Sequence, residues 1–101
     1  MTKPSVDPRI IAELWDVICD RADHPKEGSY TTSLFTDKKG IDKVLEKVGE
    51  ESTEFILAVK NGVSSRTESE AADLLFHLLV ALRAADVDLA EVMAELEHRR
   101  K

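Results

Sequence analysis

The sequence predicts an all-α fold: an antiparallel helical hairpin core with flanking helices, completed as a helical bundle by dimerisation. Three observations carry this. Apolar residues recur at three- and four-residue spacing through four separate segments. Hydrophobic residues make up 43% of the chain and aromatics only 5%, an aliphatic balance that suits helices better than a β sandwich. Two long helical runs also meet at Asn61-Gly62, a left-handed stop that sends the chain back along itself. At 101 residues the chain reads as a single domain over 1–101, able to bury a core but not a generous one.

The first helix is predicted to start at Asp7-Pro8, with Asp as N-cap and Pro in the first turn. Ile11, Leu14, Trp15 and Ile18 set its apolar face, and the pattern ends before Asp23-His24-Pro25. Residues 24–40 hold Pro25, Gly28, Gly40 and a Ser-Tyr-Thr-Thr cluster, which reads as a functional loop with one short turn around Ser33 to Thr36.

The second helix is expected from Ile41 to Lys60, with Ile41, Val44, Val48, Phe55 and Val59 as its stripe. Gly49 inside it costs roughly 1 kcal/mol against Ala, which a close helix crossing or a close substrate approach would offset. The third runs from Ser65 or Thr67 to Ala84 and is apolar nearly all round, so it should be covered on most sides. Asp88 opens the last helix, with Glu91 three residues on as a capping box and with Leu89, Val92, Met93 and Leu96 facing inward. The basic tail His98-Arg99-Arg100-Lys101 suits a helix C-terminus.

The formal charge of −6 argues against a nucleic-acid backbone as the main partner. Cys19 is the one cysteine, so no intrachain disulfide forms, and a reducing compartment is the natural setting. Met1-Thr2-Lys3-Pro4 carries no apolar signal region, and the longest apolar stretch, Leu74 to Leu82, is far too short for a membrane span. These readings give a soluble cytoplasmic protein.

Four carboxylates are placed symmetrically about the Asn61-Gly62 turn. Glu54 and Glu70 are each eight residues from position 62, and Glu51 and Asp73 each eleven. In an antiparallel hairpin, residues equidistant from the turn face each other. Four acids converging between helices repel unless a cation joins them, so the arrangement fits a hard divalent metal. Glu51 sits on the apolar stripe, where an unpartnered acid is out of place. Asp73 is a poor helix former on a helix with no solvent face to spare.

Glu70 has a simpler role open to it, because Thr67-x-x-Glu70 is a capping box. Ser65-x-x-Glu68 is another, and a start at Ser65 leaves Glu70 free. Lys47 and His77 are also equidistant from the turn, one layer beyond the acids. A metal cluster with a cation beside it is what a phosphate-bearing ligand requires. Lys38, Lys39, Lys43 and Lys60 are further candidates. A di-iron bundle needs two Glu-x-x-His motifs, and only Glu95-x-x-His98 occurs, so that reading is set aside.

Glu50-Glu51-x-x-Glu54 followed by Glu70-x-x-Asp73 resembles the signature of the all-α nucleotide pyrophosphatases. The segments Glu27-Gly28-Ser29-Tyr30-Thr31, Gly40 to Glu51, Ala58-x-Lys60 and Glu70 to Val80 are most similar to the phosphoribosyl-ATP pyrophosphatases of histidine biosynthesis. The likeness spans roughly residues 10 to 100. It implies hydrolysis of the α–β phosphoanhydride of N1-(5-phosphoribosyl)-ATP, dependence on Mg²⁺ (or Mn²⁺), and a homodimer. Under it, Glu51, Glu54, Glu70 and Asp73 are metal ligands, and Glu50 either supports those ligands from behind or helps to orient water. Lys47, Lys60 and Ser29-Tyr30-Thr31 would face substrate phosphates and sugar, with His77 beside them. Some members carry a fused cyclohydrolase domain, and none is expected here. Val59 and Ser52 depart from frequent alanines and leave the metal argument untouched.

Two other functions fit the same acids: a general nucleoside triphosphate pyrophosphatase that clears non-standard nucleotides, and a non-catalytic helical interaction module. The Glu27 to Thr31 segment favours the biosynthetic activity over the first. A defined Mg²⁺ site would separate an enzyme from the second.

Overall fold

A computed structural model describes residues 5–100, and within them all regular structure is helical. The helices are α1 (Arg9–Asp23), α2 (Tyr30–Thr36), α3 (Ile41–Asn61), α4 (Ser64–Ala84) and α5 (Leu89–Arg99). The expectations for Met1–Pro4 and for Lys101 of the basic tail lie outside the described residues.

Local chemistry sets the ends. Asp7 serves the start of α1 from one residue further out than expected: its Oδ1 accepts from the Arg9 backbone N–H at 3.0 Å, and Pro8 takes the cap position. Gly62 ends α3 in the left-handed conformation (φ 75°), and its N–H reaches the carbonyls of Ala58 and Val59. α4 starts at Ser64, one residue before the expected Ser65, and neither predicted capping box forms. Val63 is the N-cap without a side-chain bond, and the Thr67 hydroxyl donates to the Val63 carbonyl instead. Glu70 is therefore not a cap. Asp88 caps α5 by accepting from the Ala90 N–H at 2.9 Å.

One loop expectation is corrected. Residues 30–36 form a full seven-residue helix rather than a turn around Ser33 to Thr36. Its Tyr, Thr and Ser content is a poor helical signal on its own. Ser29 caps it by accepting from the Thr32 N–H, and burial of Thr32 and Leu34 holds it down.

The antiparallel α3–α4 pair is the spine, and α1 and α2 pack across it. The core cluster is Ile18, Leu34, Val44, Leu79, Val80 and Leu89, with Trp15 and Phe76 among the side chains packed against it. Burial stops short of the sequence expectation. Leu75 and Leu78 of α4 are 48% and 40% exposed, so one side of that helix is uncovered. Met93 and Leu96, expected to face inward, are also exposed, as are Ile41 and Val59 of the α3 stripe. The reason is geometric: α5 makes little contact with the α3–α4 pair. Leu75, Leu78, Leu45, Ile41, Met93 and Leu96 border an open apolar groove of about 500 Å³. Among the described residues, no helix is long and apolar enough to cross a membrane.

Candidate metal and phosphate site

The hairpin brings three of the four symmetric acids together. Glu51 from α3 and Glu70 and Asp73 from α4 each offer an oxygen within 4.8 Å of the others. The Glu51 and Glu70 side chains are only 13% and 14% exposed, while Asp73 opens to solvent. Glu54 is not in this group. It is exposed one turn further along α3, where it borders a separate cleft with Asn61 and Arg66.

Basic groups flank the cluster on both sides. Lys47 Nζ lies 3.0 Å from Glu50 Oε2 and 3.4 Å from Glu51 Oε1. The hydrogen bond from Lys47 holds the Glu50 carboxyl below its ordinary pKa. The same bond raises the pKa of Lys47, against the opposing effect of burial. At the other end Arg66 Nη2 sits 3.5 Å from Glu70 Oε1. Sequence reasoning passed over Arg66. The available signal was its position four residues before Glu70, where a long side chain on a helix reaches its neighbour.

Behind the acids lies a short polar chain. His77 is 4% exposed. Its Nδ1 is 2.7 Å from the Asp73 carbonyl oxygen, and its Nε2 is 2.8 Å from the Tyr30 hydroxyl. Tyr30 stacks on Phe76 with ring centroids 6.1 Å apart, which ties the first turn of α2 to α4. Burial raises the Tyr30 pKa, Lys47 lowers it, and Glu51, Glu50 and Asp73 add to the rise, so the phenol stands within the field of the acid cluster. His77 thus lies beneath the site, not on its open face.

The other expected residues are more dispersed. Ser29 uses its hydroxyl oxygen as the α2 cap, and Thr31 is half-buried on the first turn of that helix. Lys60 is exposed at the far end of α3, and Lys39 pairs with Glu46 instead of joining the cluster. Cys19 is half-buried and free, and burial raises its thiol pKa.

An antiparallel helix pair with carboxylates in register and cations at both ends can bind a hard cation and a polyphosphate together. Residues 11–100 match the family model described as phosphoribosyl-ATP pyrophosphohydrolase. The chain is 74% identical over 99 residues to a phosphoribosyl-ATP pyrophosphatase of Methanoregula boonei, covering 98% of this chain and 95% of that one. It is 70% identical to the protein of the same name from Methanosphaerula palustris, over 94% of this chain and 96% of that one. For the Methanoculleus marisnigri counterpart the identity is 62%, over 94% and 98%. By sequence along nearly its whole length, the chain belongs to the phosphoribosyl-ATP pyrophosphohydrolase family.

Proposed function

We propose that this chain hydrolyses the α–β phosphoanhydride of N1-(5-phosphoribosyl)-ATP, giving phosphoribosyl-AMP and pyrophosphate for histidine biosynthesis. The observation that carries the reading is the trio Glu51, Glu70 and Asp73, held within 4.8 Å on two rigid helices with Lys47 beside it. Its donors are all carboxylate oxygens, the set preferred by hard divalent cations, so Mg²⁺ fits and Mn²⁺ is an acceptable substitute. Glu51, Glu70 and Asp73 would hold the ion, with Glu54 an outer group further along α3. When bound, it supplies charge neutralisation for the phosphates and acidity for a coordinated water.

The chain's own residues do the positioning. Lys47 keeps a positive charge beside the acids, where the leaving pyrophosphate accumulates negative charge. Glu50 is exposed and kept ionised by Lys47, which suits it to orient the attacking water as a hydrogen-bond acceptor. Arg66 adds a cation at the Glu70 end. Ser29 and Thr31 at the start of α2 are the candidates for sugar contacts, and Lys60 for the outer phosphate.

The working form is a homodimer in the cytoplasm, with residues 1–101 acting as one domain. A second copy would cover the groove bordered by Leu75 and Leu78, as obligate dimers bury their largest apolar surface. Light scattering at micromolar concentration should give twice the 11.3 kDa chain mass. The activity itself is tested by measuring turnover of phosphoribosyl-ATP against a panel of plain nucleoside triphosphates, with Mg²⁺ and with EDTA. A strong, Mg²⁺-dependent preference for phosphoribosyl-ATP is expected. A preference for the plain triphosphates would overturn the assignment.

A further inference from the structure

Lys43 is a cation beside the site whose charge no carboxylate of the chain answers. It lies on α3 four residues before Lys47, seven before Glu50 and eight before Glu51, so the four share one face of the helix. Among the described residues, Lys43 and Lys47 are the two lysines that are partly buried, and the others are exposed. Lys47 is paired, with Glu50 at 3.0 Å and Glu51 at 3.4 Å. Lys43 has no ion pair among the described residues, because the acids it could reach along the helix are taken. Glu46, three residues on, is held through both oxygens by Lys39 at 3.1 and 3.3 Å, and Glu50 is held by Lys47. The charge of Lys43 is still felt at the site, where it adds to the larger effect of Lys47 in lowering the Glu50 pKa. A partly desolvated ammonium without a counter-ion favours the arrival of an anion.

The α3–α4 hairpin sets these charges in order along its axis. Arg66 stands at the Glu70 end of the carboxylate trio, towards the Gly62 turn. Lys47 stands at the opposite end, with the start of α2 beside it through Tyr30. Lys43 lies one turn further out, eight residues and about 12 Å along the axis from Glu51. Phosphoribosyl-ATP differs from a plain triphosphate in having a second ribose with a phosphate monoester of its own. Two sugars and a purine separate that monoester from the triphosphate. With the triphosphate held at the trio and the nucleoside running past α2, the monoester comes to the Lys43 end. We propose that Lys43 binds the phosphate monoester on the second ribose and thereby selects phosphoribosyl-ATP over plain nucleoside triphosphates. Its partial burial aids this, since a point charge with little water around it attracts a dianion more strongly.

The inference rests on the proposed phosphoribosyl-ATP activity, and the test separates the two. Wild type, Lys43→Gln, Lys43→Met and Lys43→Arg are assayed on phosphoribosyl-ATP and on ribosyl-ATP, the same molecule without the monoester. Binding of phosphoribosyl-AMP and of pyrophosphate is measured by calorimetry. Both neutral variants should lower kcat/KM for phosphoribosyl-ATP by about 10- to 100-fold, the range for one lost hydrogen bond to a charged group. Wild type should lose a similar factor on ribosyl-ATP, and the neutral variants should add no further loss there. Affinity for phosphoribosyl-AMP should fall in step, with that for pyrophosphate unchanged, and Lys43→Arg should keep most of the wild-type preference. An equal fall on both substrates overturns the proposal, because Lys43 would then serve the triphosphate or the fold. Activity of Lys43→Met within twofold of wild type on phosphoribosyl-ATP also overturns it, since methionine keeps an apolar stem and only the charge is lost. Should one neutral variant not fold, the other decides. A wild-type chain that prefers plain triphosphates overturns the parent activity and this inference with it. A wild-type preference for phosphoribosyl-ATP that survives loss of the Lys43 charge overturns this inference alone.

Discussion

The two faces of α4 differ in how completely one chain satisfies them. On one face Glu70 and Asp73 meet Glu51, Arg66 pairs with Glu70, and His77 is bonded at both nitrogens. On the other, Leu75 and Leu78 are 48% and 40% exposed and border an open apolar groove. The polar face is built from short-range partners one helical turn or one helix away. The apolar face stays about half exposed within one chain. The carboxylate cluster and the open apolar groove thus lie on different sides of a single helix, and each can be perturbed without first disturbing the other.

The largest expected effect tests the polar face. Asp73→Asn should lower turnover at least about a hundredfold, because it weakens a hard-oxygen ligand and removes charge that offsets the cation. Asparagine keeps the backbone carbonyl that His77 bonds, so the Tyr30 contact survives. In EDTA the variant should melt at or above the wild-type temperature, since one of three mutually repelling carboxylates is gone. Its gain in Tm on adding Mg²⁺ should shrink. A variant that melts well below wild type in EDTA yet keeps full activity would show that Asp73 is a structural acid.

Leu78→Asp comes next and tests the apolar face. In a monomer the side chain is 40% exposed, and the change should cost little. In a dimer that buries it, the loss should be about 2–4 kcal/mol, from the lost transfer energy and an unpaired buried charge. Light scattering should then find the single-chain mass, and the dependence of Tm on protein concentration expected of a wild-type dimer should be lost. An unchanged dimer would move the interface away from this groove.

A smaller effect separates two acids on one helix. Glu51→Gln should cost at least tenfold more activity than Glu54→Gln, because Glu51 lies in the cluster and Glu54 stands outside it (on the order of one ligand against one outer group). Equal losses would mean that Glu54 swings in when metal and substrate bind.

This third comparison also marks where the sequence was legible. Equal distance from the Asn61-Gly62 turn placed Glu51 opposite Asp73 along the hairpin axis, and Gly62 does end α3 as that reading required. Counting from a turn gives height, however, and not angle about the helix. Counting puts Glu54 at the height of Glu70, yet it stands exposed beside Asn61 and Arg66, outside the cluster. α2 was under-read because its Tyr-Thr-Thr-Ser composition disfavours helix, while burial of Leu34 and the Ser29 cap override it. The open side of α4 was out of reach for a different reason. A run of leucines states that a surface must be covered without stating that another element of the same chain covers it.

The smallest effect is electrostatic and belongs to the polar face alone. The Glu50 pKa is lowered in the folded protein by its bond to Lys47, so its contribution to stability is present above the ordinary value of 4.5 and is lost as pH falls through the lowered one. The Lys47 pKa is raised above 10.5, so its contribution is present below that value and is lost as pH rises through the raised one. Between those limits the pair adds a pH-independent increment. Glu50 is fully exposed, so salt should screen the increment and keep it small. Urea midpoints for wild type and Glu50→Gln should therefore differ at neutral pH and converge as the solution is acidified below 4.5, with the gap narrowing in high salt. The Leu78→Asp deficit, measured alongside, should persist in high salt at neutral pH, because most of it comes from apolar burial. A Glu50→Gln gap that stayed constant from neutral to acid would mean that Glu50 acts on the fold through packing or hydrogen bonding rather than through its charge, and the polar face would then resemble the apolar one in what holds it together.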